Sequence, residues 1–292
     1  LAASFLPWGP PDKPIPMVET FGEPGREYAA LRRSAGLFDE PWRATIEVTG
    51  GDRTEFLERM LTQKLTGLES LHWRPSFWLN RKGRIEADLR VTELGDRTLF
   101  DLDAHAADAT RTALDQYLFA EDVALADVSD TFHRMSAHGP RSLQLVASIA
   151  EAVEGPALTD LAVGQASIAR IAGHRVVAER VELIGSPGLS LLTPASGAAE
   201  VADALLAITD TESDAEDGRA AVRPVGWAAM NIDIDGAPLL SHLPGHPNVV
   251  VAATANGYTL GPLIGREAAR SALAGRMRED LAEFDLSRFQ LS

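Results

Sequence analysis

Hydrophobic and polar positions along the chain change period several times, and each change predicts a new element. From Ile85 to Thr92 the pattern alternates, with Ile85, Ala87, Leu89 and Val91 on one face and Glu86, Asp88, Arg90 and Thr92 on the other, as in a half-buried strand. Phe77-Trp78-Leu79 precedes this run across the short polar segment Asn80-Arg81-Lys82-Gly83, which predicts a hairpin. Residues 45–48, 98–102, 123–128 and 132–136 read as further strands. Helical spacing takes over after Asp52, an N-cap for a helix to about Met60, and again over 106–119, where Ala109, Ala113, Leu114 and Leu118 recur at helical intervals. Residues 27–35 collect helix formers and stop at Gly36, which suits the position after a helix C-terminus. Downstream, strands are expected at 168–171, 176–181 and 248–253, turns at Gly185-Ser186-Pro187-Gly188 and Asn256-Gly257, and helices at 198–208 and 263–273, the last closed by Gly275. Strands and helices interleave throughout, so the class is α/β or α+β, and α+β is the expectation carried forward.

Prolines crowd residues 7–16, where neither a helix nor a central strand tolerates them, so residues 1–24 read as an extended arm. A first subdomain is expected over 25–160 and a second over 161–220. The second ends in an acidic connector containing Asp210, Glu212, Asp214, Glu216 and Asp217. Residues 221–292 form a C-terminal strand and helix segment. No internal repeat is apparent.

The 292 residues hold no cysteine, which removes disulfides, thiolate metal sites and a Cys nucleophile. With 27 basic against 42 acidic residues the formal net charge is −15, so a nucleic-acid backbone is repelled on average and no nucleic-acid partner is expected. No run of 18 apolar residues and no export signal occur in the sequence, so neither membrane nor secretion is expected, and the location is read as cytoplasmic. The seven histidines show no ligand spacing on a helix: His242 and His246 are four apart, but Pro244 and Gly245 lie between them. No metal is expected. Ser136 and Ser241 lack the Gly-x-Ser-x-Gly elbow of a hydrolase, and the five tryptophans read as core or rim aromatics.

Tyr28, Arg32 and Ala35-Gly36-Leu37-Phe38-Asp39, then Leu79-Asn80-Arg81-Lys82-Gly83-Arg84-Ile85-Glu86-Ala87-Asp88-Leu89, then His138-Gly139-Pro140, follow one another in an order and spacing that resembles the folate-binding family of the glycine-cleavage T-protein (aminomethyltransferase) and the YgfZ-type proteins. The resemblance implies a T-protein-like fold, tetrahydrofolate as the folate partner, and one-carbon transfer from a small amine-bearing substrate or carrier protein. It implies that Asp88 is the catalytic carboxylate, since a carboxylate on a rigid strand holds or relays a proton while a one-carbon unit moves between nitrogens. Read from the residues alone, without the motif, Asp88 is a solvated strand residue paired with Arg90 or Arg97. Asn80, Lys82, Gly83 and Arg84 are the candidate folate-binding residues of the hairpin, the cations facing the glutamate tail of folate; Arg81, Lys82 and Arg84 are equally an exposed hairpin tip. Gly185 and Ser186 are the candidates of the second turn, with the pocket expected between the two.

Several positions depart from that family. Ala87 replaces the other acidic residue of the strand motif, Ser186 and Ser190 stand where the family has Glu, and His138 stands where it has Gln. The Lys-Gly-Cys-Tyr-x-Gly-Gln-Glu signature of the YgfZ-type branch is absent, and 226–236 lacks the arginines of the T-protein pattern. A YgfZ-type accessory role in iron–sulfur cluster maintenance is the alternative reading. Asp235-Gly236-Ala237-Pro238-Leu239, Pro244-Gly245-His246-Pro247-Asn248-Val249, Gly257-Tyr258-Thr259-Leu260-Gly261-Pro262 and Asp285-Leu286-Ser287-Arg288-Phe289 resemble the closing segment of FAD-dependent amine oxidases. The chain has no Gly-x-Gly-x-x-Gly to hold a dinucleotide. That resemblance therefore implies either a packing remnant or a non-catalytic subunit docking on a flavin-containing partner.

Overall fold

The computed structural model describes residues 3–183, 185–208, 222–224, 239–243, 246–253, 267–268 and 270–271. The chain divides into two compact units, Leu1–Ala228 and Ala229–Ser292.

In the first unit the proline-rich arm folds back as a two-stranded antiparallel hairpin, β1 (Ser4–Trp8) with β2 (Ile15–Thr20), in which Pro7 pairs with Pro16. An isolated ribbon leaves its outer edges unpaired, which is why prolines fit there. Helix α1 (Pro24–Arg33) follows. It ends at Ser34 and not at Gly36, because Ala35–Asp39 is strand β3, with Ala35 to Phe38 buried. Gly36 is therefore a strand residue opposite His138, and its expected role as a helix terminator is corrected. The apolar run Ala35-Gly36-Leu37-Phe38 is too short to show a period, and only burial on both faces reveals it as a strand.

Strand β4 (Arg43–Thr49), helix α2 (Arg53–Met60), strands β5 (His72–Leu79), β6 (Ile85–Glu93) and β7 (Thr98–Asp103), helix α3 (Ala104–Asp115) and strand β8 (Ala124–Asp127) come next. They build a five-stranded sheet in the order β5-β6-β7-β4-β8. The hairpin expected around residue 80 is β5 paired with β6. Asp52 precedes α2 as expected, but its carboxylate accepts from the Asp122 N–H at 2.8 Å and does not cap the helix. Helix α3 is capped instead by Asp103, which accepts from the His105 N–H at 2.8 Å.

Strand β9 (Phe132–His138), helix α4 (Ser142–Ala147), strands β10 (Glu151–Glu154), β11 (Ala166–Ile171), β12 (His174–Val181) and β13 (Gly188–Pro194), helix α5 (Ala198–Leu206) and strand β14 (Val222–Pro224) complete the unit. A seven-stranded sheet results, in the order β10-β11-β12-β13-β9-β3-β14, with β14 parallel to β3. Strands from both sides of residue 160 are hydrogen-bonded in this one sheet. The acidic stretch expected at 210–218 lies outside the described residues.

Each sheet carries helices on one face. Leu89, Val91, Phe100, Leu102, Ile46 and Trp78 of the five-stranded sheet pack with Phe56 and Leu57 of α2 and Leu114 of α3. Leu37, Ala137, Leu189, Leu191, Val176 and Ile171 of the other sheet pack with Val146 of α4 and Val201 and Leu205 of α5. Each fully buried Leu or Val side chain contributes about 2 kcal/mol, so these two layers are the main stabilising cores. The mixed architecture agrees with the α+β expectation.

In the second unit, β15 (Leu239–Leu243) pairs antiparallel with β16 (His246–Ala253), and residues 267, 268, 270 and 271 are helical. Asn256, Gly257 and Gly275 lie outside the described residues, as do the flavoenzyme-like motifs apart from Leu239 and His246 to Val249. No helix among the described residues is long and apolar enough to cross a membrane.

Candidate functional site

The faces of the two sheets that do not carry helices meet through charge. Alternation along β6 puts Ala87, Leu89 and Val91 into the helix-covered core and turns Arg90 and Thr92 the other way. Arg90 pairs with Asp101 of its own sheet and, at 3.0 Å, with Glu179 of the other. Arg134 on β9 pairs with Glu179 at 2.8 Å and Asp101 at 3.1 Å. Arg43 donates to Asp101 at 2.8 Å, Thr92 donates to Glu179, and the Ser190 hydroxyl accepts from Arg90 at 3.0 Å and Arg134 at 2.8 Å. Burial alone would raise Asp101, but Arg134, Arg90 and Arg43 outweigh it and hold the carboxyl well below the usual carboxylate range. Burial likewise works against the Arg134 charge, and Asp101 and Glu179 more than restore it. Glu40, hydrogen-bonded to Ser136, goes the other way: burial dominates and lifts its pKa.

The layer has two ends. Arg90 touches Ser190, while Leu94 and Leu192 together wall a cavity of about 410 Å³. Strands β6 and β13 therefore run in the same sense, which places Asp88 and Gly188 at the end opposite that cavity. Gly188 lies opposite His138, and a Cβ on it would fall 2.2 Å from the His138 Nδ1. Only glycine lets the strand approach the imidazole so closely. His138 is fully buried, with Phe38 edge-on at 5.6 Å, and neither ring nitrogen has a hydrogen-bond partner among the described residues. Burial first, then the charges of Arg90 and Arg180, push its pKa down to about 4, so it is neutral at physiological pH.

The expected catalytic residue, Asp88, is exposed on β6 opposite Phe77 and makes no hydrogen bond or ion pair among the described residues. The pairing with Arg90 or Arg97 does not occur: Arg90 is held by Asp101 and Glu179, and Arg97 by Glu47 and Asp96. Asn80 is the organiser of the hairpin turn. Its side-chain carbonyl accepts from the Lys82 N–H at 2.9 Å and the Arg84 N–H at 3.1 Å, and its amide donates to Glu86. Gly83 has φ 74°, the left-handed conformation such a turn demands. Lys82 and Arg84 are exposed cations without a carboxylate partner among the described residues. Gly185 is exposed and Ser186 buried, in the turn that leads to Gly188.

Sequence reasoning missed Arg90, Asp101, Arg134 and Glu179 as a group. Their signal was present as single charges within strands, but a cross-sheet contact joins residues up to 89 positions apart (Arg90 to Glu179), which no local pattern encodes. The cross-strand partner of Ser190 is Glu179, so a carboxylate stands beside the position where the T-protein motif has Glu.

A model of the GCVT N-terminal domain matches residues 8–232. The aminomethyltransferase of Corynebacterium aurimucosum is 28% identical over 232 residues, covering 79% of this chain and 60% of that protein. Sarcosine oxidase subunit alpha of Rhizobium meliloti is 29% identical over 187 residues, covering 62% of this chain and 19% of that protein. Among solved structures, the glycine cleavage system aminomethyltransferase T from Bartonella henselae superimposes with a TM-score of 0.63 at 22% identity, over 77% of this chain and 56% of that one, and so shares the fold. The chain spans 54–60% of the length of the first aminomethyltransferases it matches. With the match running from the β1–β2 hairpin past β14, the chain belongs to the GCVT N-terminal domain family.

Proposed function

We propose that this chain binds tetrahydrofolate and supports one-carbon transfer between an amine-bearing substrate and folate, with Asp88 as the proton-handling carboxylate. One observation carries the reading within this family: Asp88 is an uncommitted acid on a strand whose neighbouring charge, Arg90, is clamped from both sheets. A charge that the fold does not use for its own stability is available to a ligand, and a clamped strand holds it in a fixed direction. Lys82 and Arg84 supply cations for the carboxylates of a glutamate tail. Ser186 offers a hydroxyl where the family motif has Glu, so the pterin meets a neutral partner at that turn. When bound, tetrahydrofolate supplies the nitrogens that accept the one-carbon unit, and Asp88 holds or releases the proton.

Titration with tetrahydrofolate, followed by tryptophan fluorescence, should saturate. Asp88→Asn should keep that affinity within a few-fold and lower transfer by about 10²-fold or more. Full activity in the variant, or no binding at all, overturns the reading. The match to sarcosine oxidase subunit alpha favours a second reading, a subunit associated with a flavoenzyme. Recovery of a stoichiometric flavin-containing complex from native extract supports it.

A further inference from the structure

The opposite, helix-covered side of the same hairpin carries a second candidate site. A cavity of about 620 Å³ opens there between the end of β5 and helix α3, a volume in the range of small-molecule sites. Its room comes from the sequence: Ala109 and Ala113, one helical turn apart on α3, leave the sheet uncovered where larger residues would fill it. Trp78 and Tyr117 form an aromatic wall, their rings 6.0 Å apart at 72°. Charge of both signs reaches the rim. Arg81 has the Tyr117 hydroxyl as its neighbour. Glu86 lies on the rim because the register of β5 and β6 shifts between Trp78 and Leu79; such a bulge re-aims a strand side chain. Its carboxylate receives the Asn80 amide and, among the described residues, no cation. Arg59 also lines the cavity but is already held by Glu55 at 3.3 Å and Glu121 at 2.7 Å.

An aromatic wall beside one uncompensated guanidinium and one uncompensated carboxylate matches a zwitterion with an apolar body. We propose that this cavity binds an α-amino acid with an aromatic or large aliphatic side chain, the carboxylate at Arg81, the ammonium at Glu86 and the side chain against Trp78 and Tyr117. The site lies on the face of β6 opposite Asp88 and shares the turn residue Asn80 with the folate reading.

Calorimetric titration of the intact chain with L-phenylalanine, phenethylamine and 3-phenylpropanoate tests it. L-Phenylalanine should bind saturably and at least 10-fold more tightly than either analogue, each of which leaves one rim charge unmet. Arg81→Gln should remove the advantage over phenethylamine, Glu86→Gln the advantage over 3-phenylpropanoate, and Ala113→Leu should abolish binding by filling the cavity. Equal binding of all three compounds, no binding at millimolar concentration, or retention of both preferences in Arg81→Gln and Glu86→Gln overturns the proposal.

Discussion

At the scale of single residues, the inner layer holds two kinds of buried polar group, and they respond to perturbation in opposite ways. Glu179 is a satisfied charge: two arginines and the Thr92 hydroxyl converge on it. Its neutralisation in Glu179→Gln leaves Asp101, already paired with Arg43, as the carboxylate shared by Arg90 and Arg134, and breaking a buried pair from one side costs about 3 kcal/mol or more. Urea unfolding at pH 7 should show that loss; a change below about 1 kcal/mol means that Asp101 suffices for both guanidiniums. His138 is the unsatisfied group, neutral because burial and two nearby arginines disfavour its charge. The unfolded chain takes up a proton near the ordinary histidine value of about 6.5, whereas the folded chain does so only near pH 4. The stability this group contributes is therefore complete above about pH 6.5 and lost as pH falls towards 4, by about 3 kcal/mol. His138→Leu removes the titration. Unfolding free energies at pH 7 and pH 4 should fall less in this variant than in the parent, and parallel pH profiles refute the assignment.

At the scale of elements, the hairpin of β5 and β6 shows what local sequence specifies. Alternation from Ala87 to Thr92 and the polar Asn80 to Gly83 segment carry strand, turn and facing directly, because a period of two and a left-handed glycine are local properties. The facing expected for Ile85 and Glu86 is corrected, since the register of β5 and β6 shifts there, leaving Ile85 exposed and Glu86 on the helix-covered side. The same reading failed at β3, where Gly36 between helix formers and a short apolar run looks like a helix end. It also passed over β13, whose residues after the Gly185 turn are buried on both faces and so have no period. Which helix covers which face, and that Arg90 meets a strand 89 residues away, follow only from packing. Asn80 gives the element its sharpest test. Asn80→Ala deletes the acceptor of the Lys82 and Arg84 amides, which then face water, so the cost should be about 1 kcal/mol in chemical denaturation. Folate affinity should drop with it, because Lys82 and Arg84 lose the turn that orders them. An unchanged affinity would take the hairpin tip out of the binding site.

At the scale of the whole molecule, the size of the net charge decides how stability responds to salt. The chain carries −15, and like-charge repulsion across the surface opposes compaction. Exposed pairs such as Arg97 with Glu47 and Arg59 with Glu121 pull the other way, since salt weakens them, but each is worth at most about 1 kcal/mol. The Arg90, Arg134, Asp101 and Glu179 network is shielded from ions by burial and contributes little to the salt response. Fifteen uncompensated charges against a few weak pairs predict net stabilisation as the Debye length shrinks from about 20 Å to about 7 Å between 20 and 200 mM NaCl. A gain of about 1 kcal/mol should raise the thermal midpoint by about 2–4 °C. Chloride is the appropriate anion, because sulfate strengthens apolar burial by exclusion and would raise the midpoint for a different reason. A midpoint that falls with NaCl would mean that the exposed ion pairs, and not the acidic excess, dominate the surface energetics of this fold.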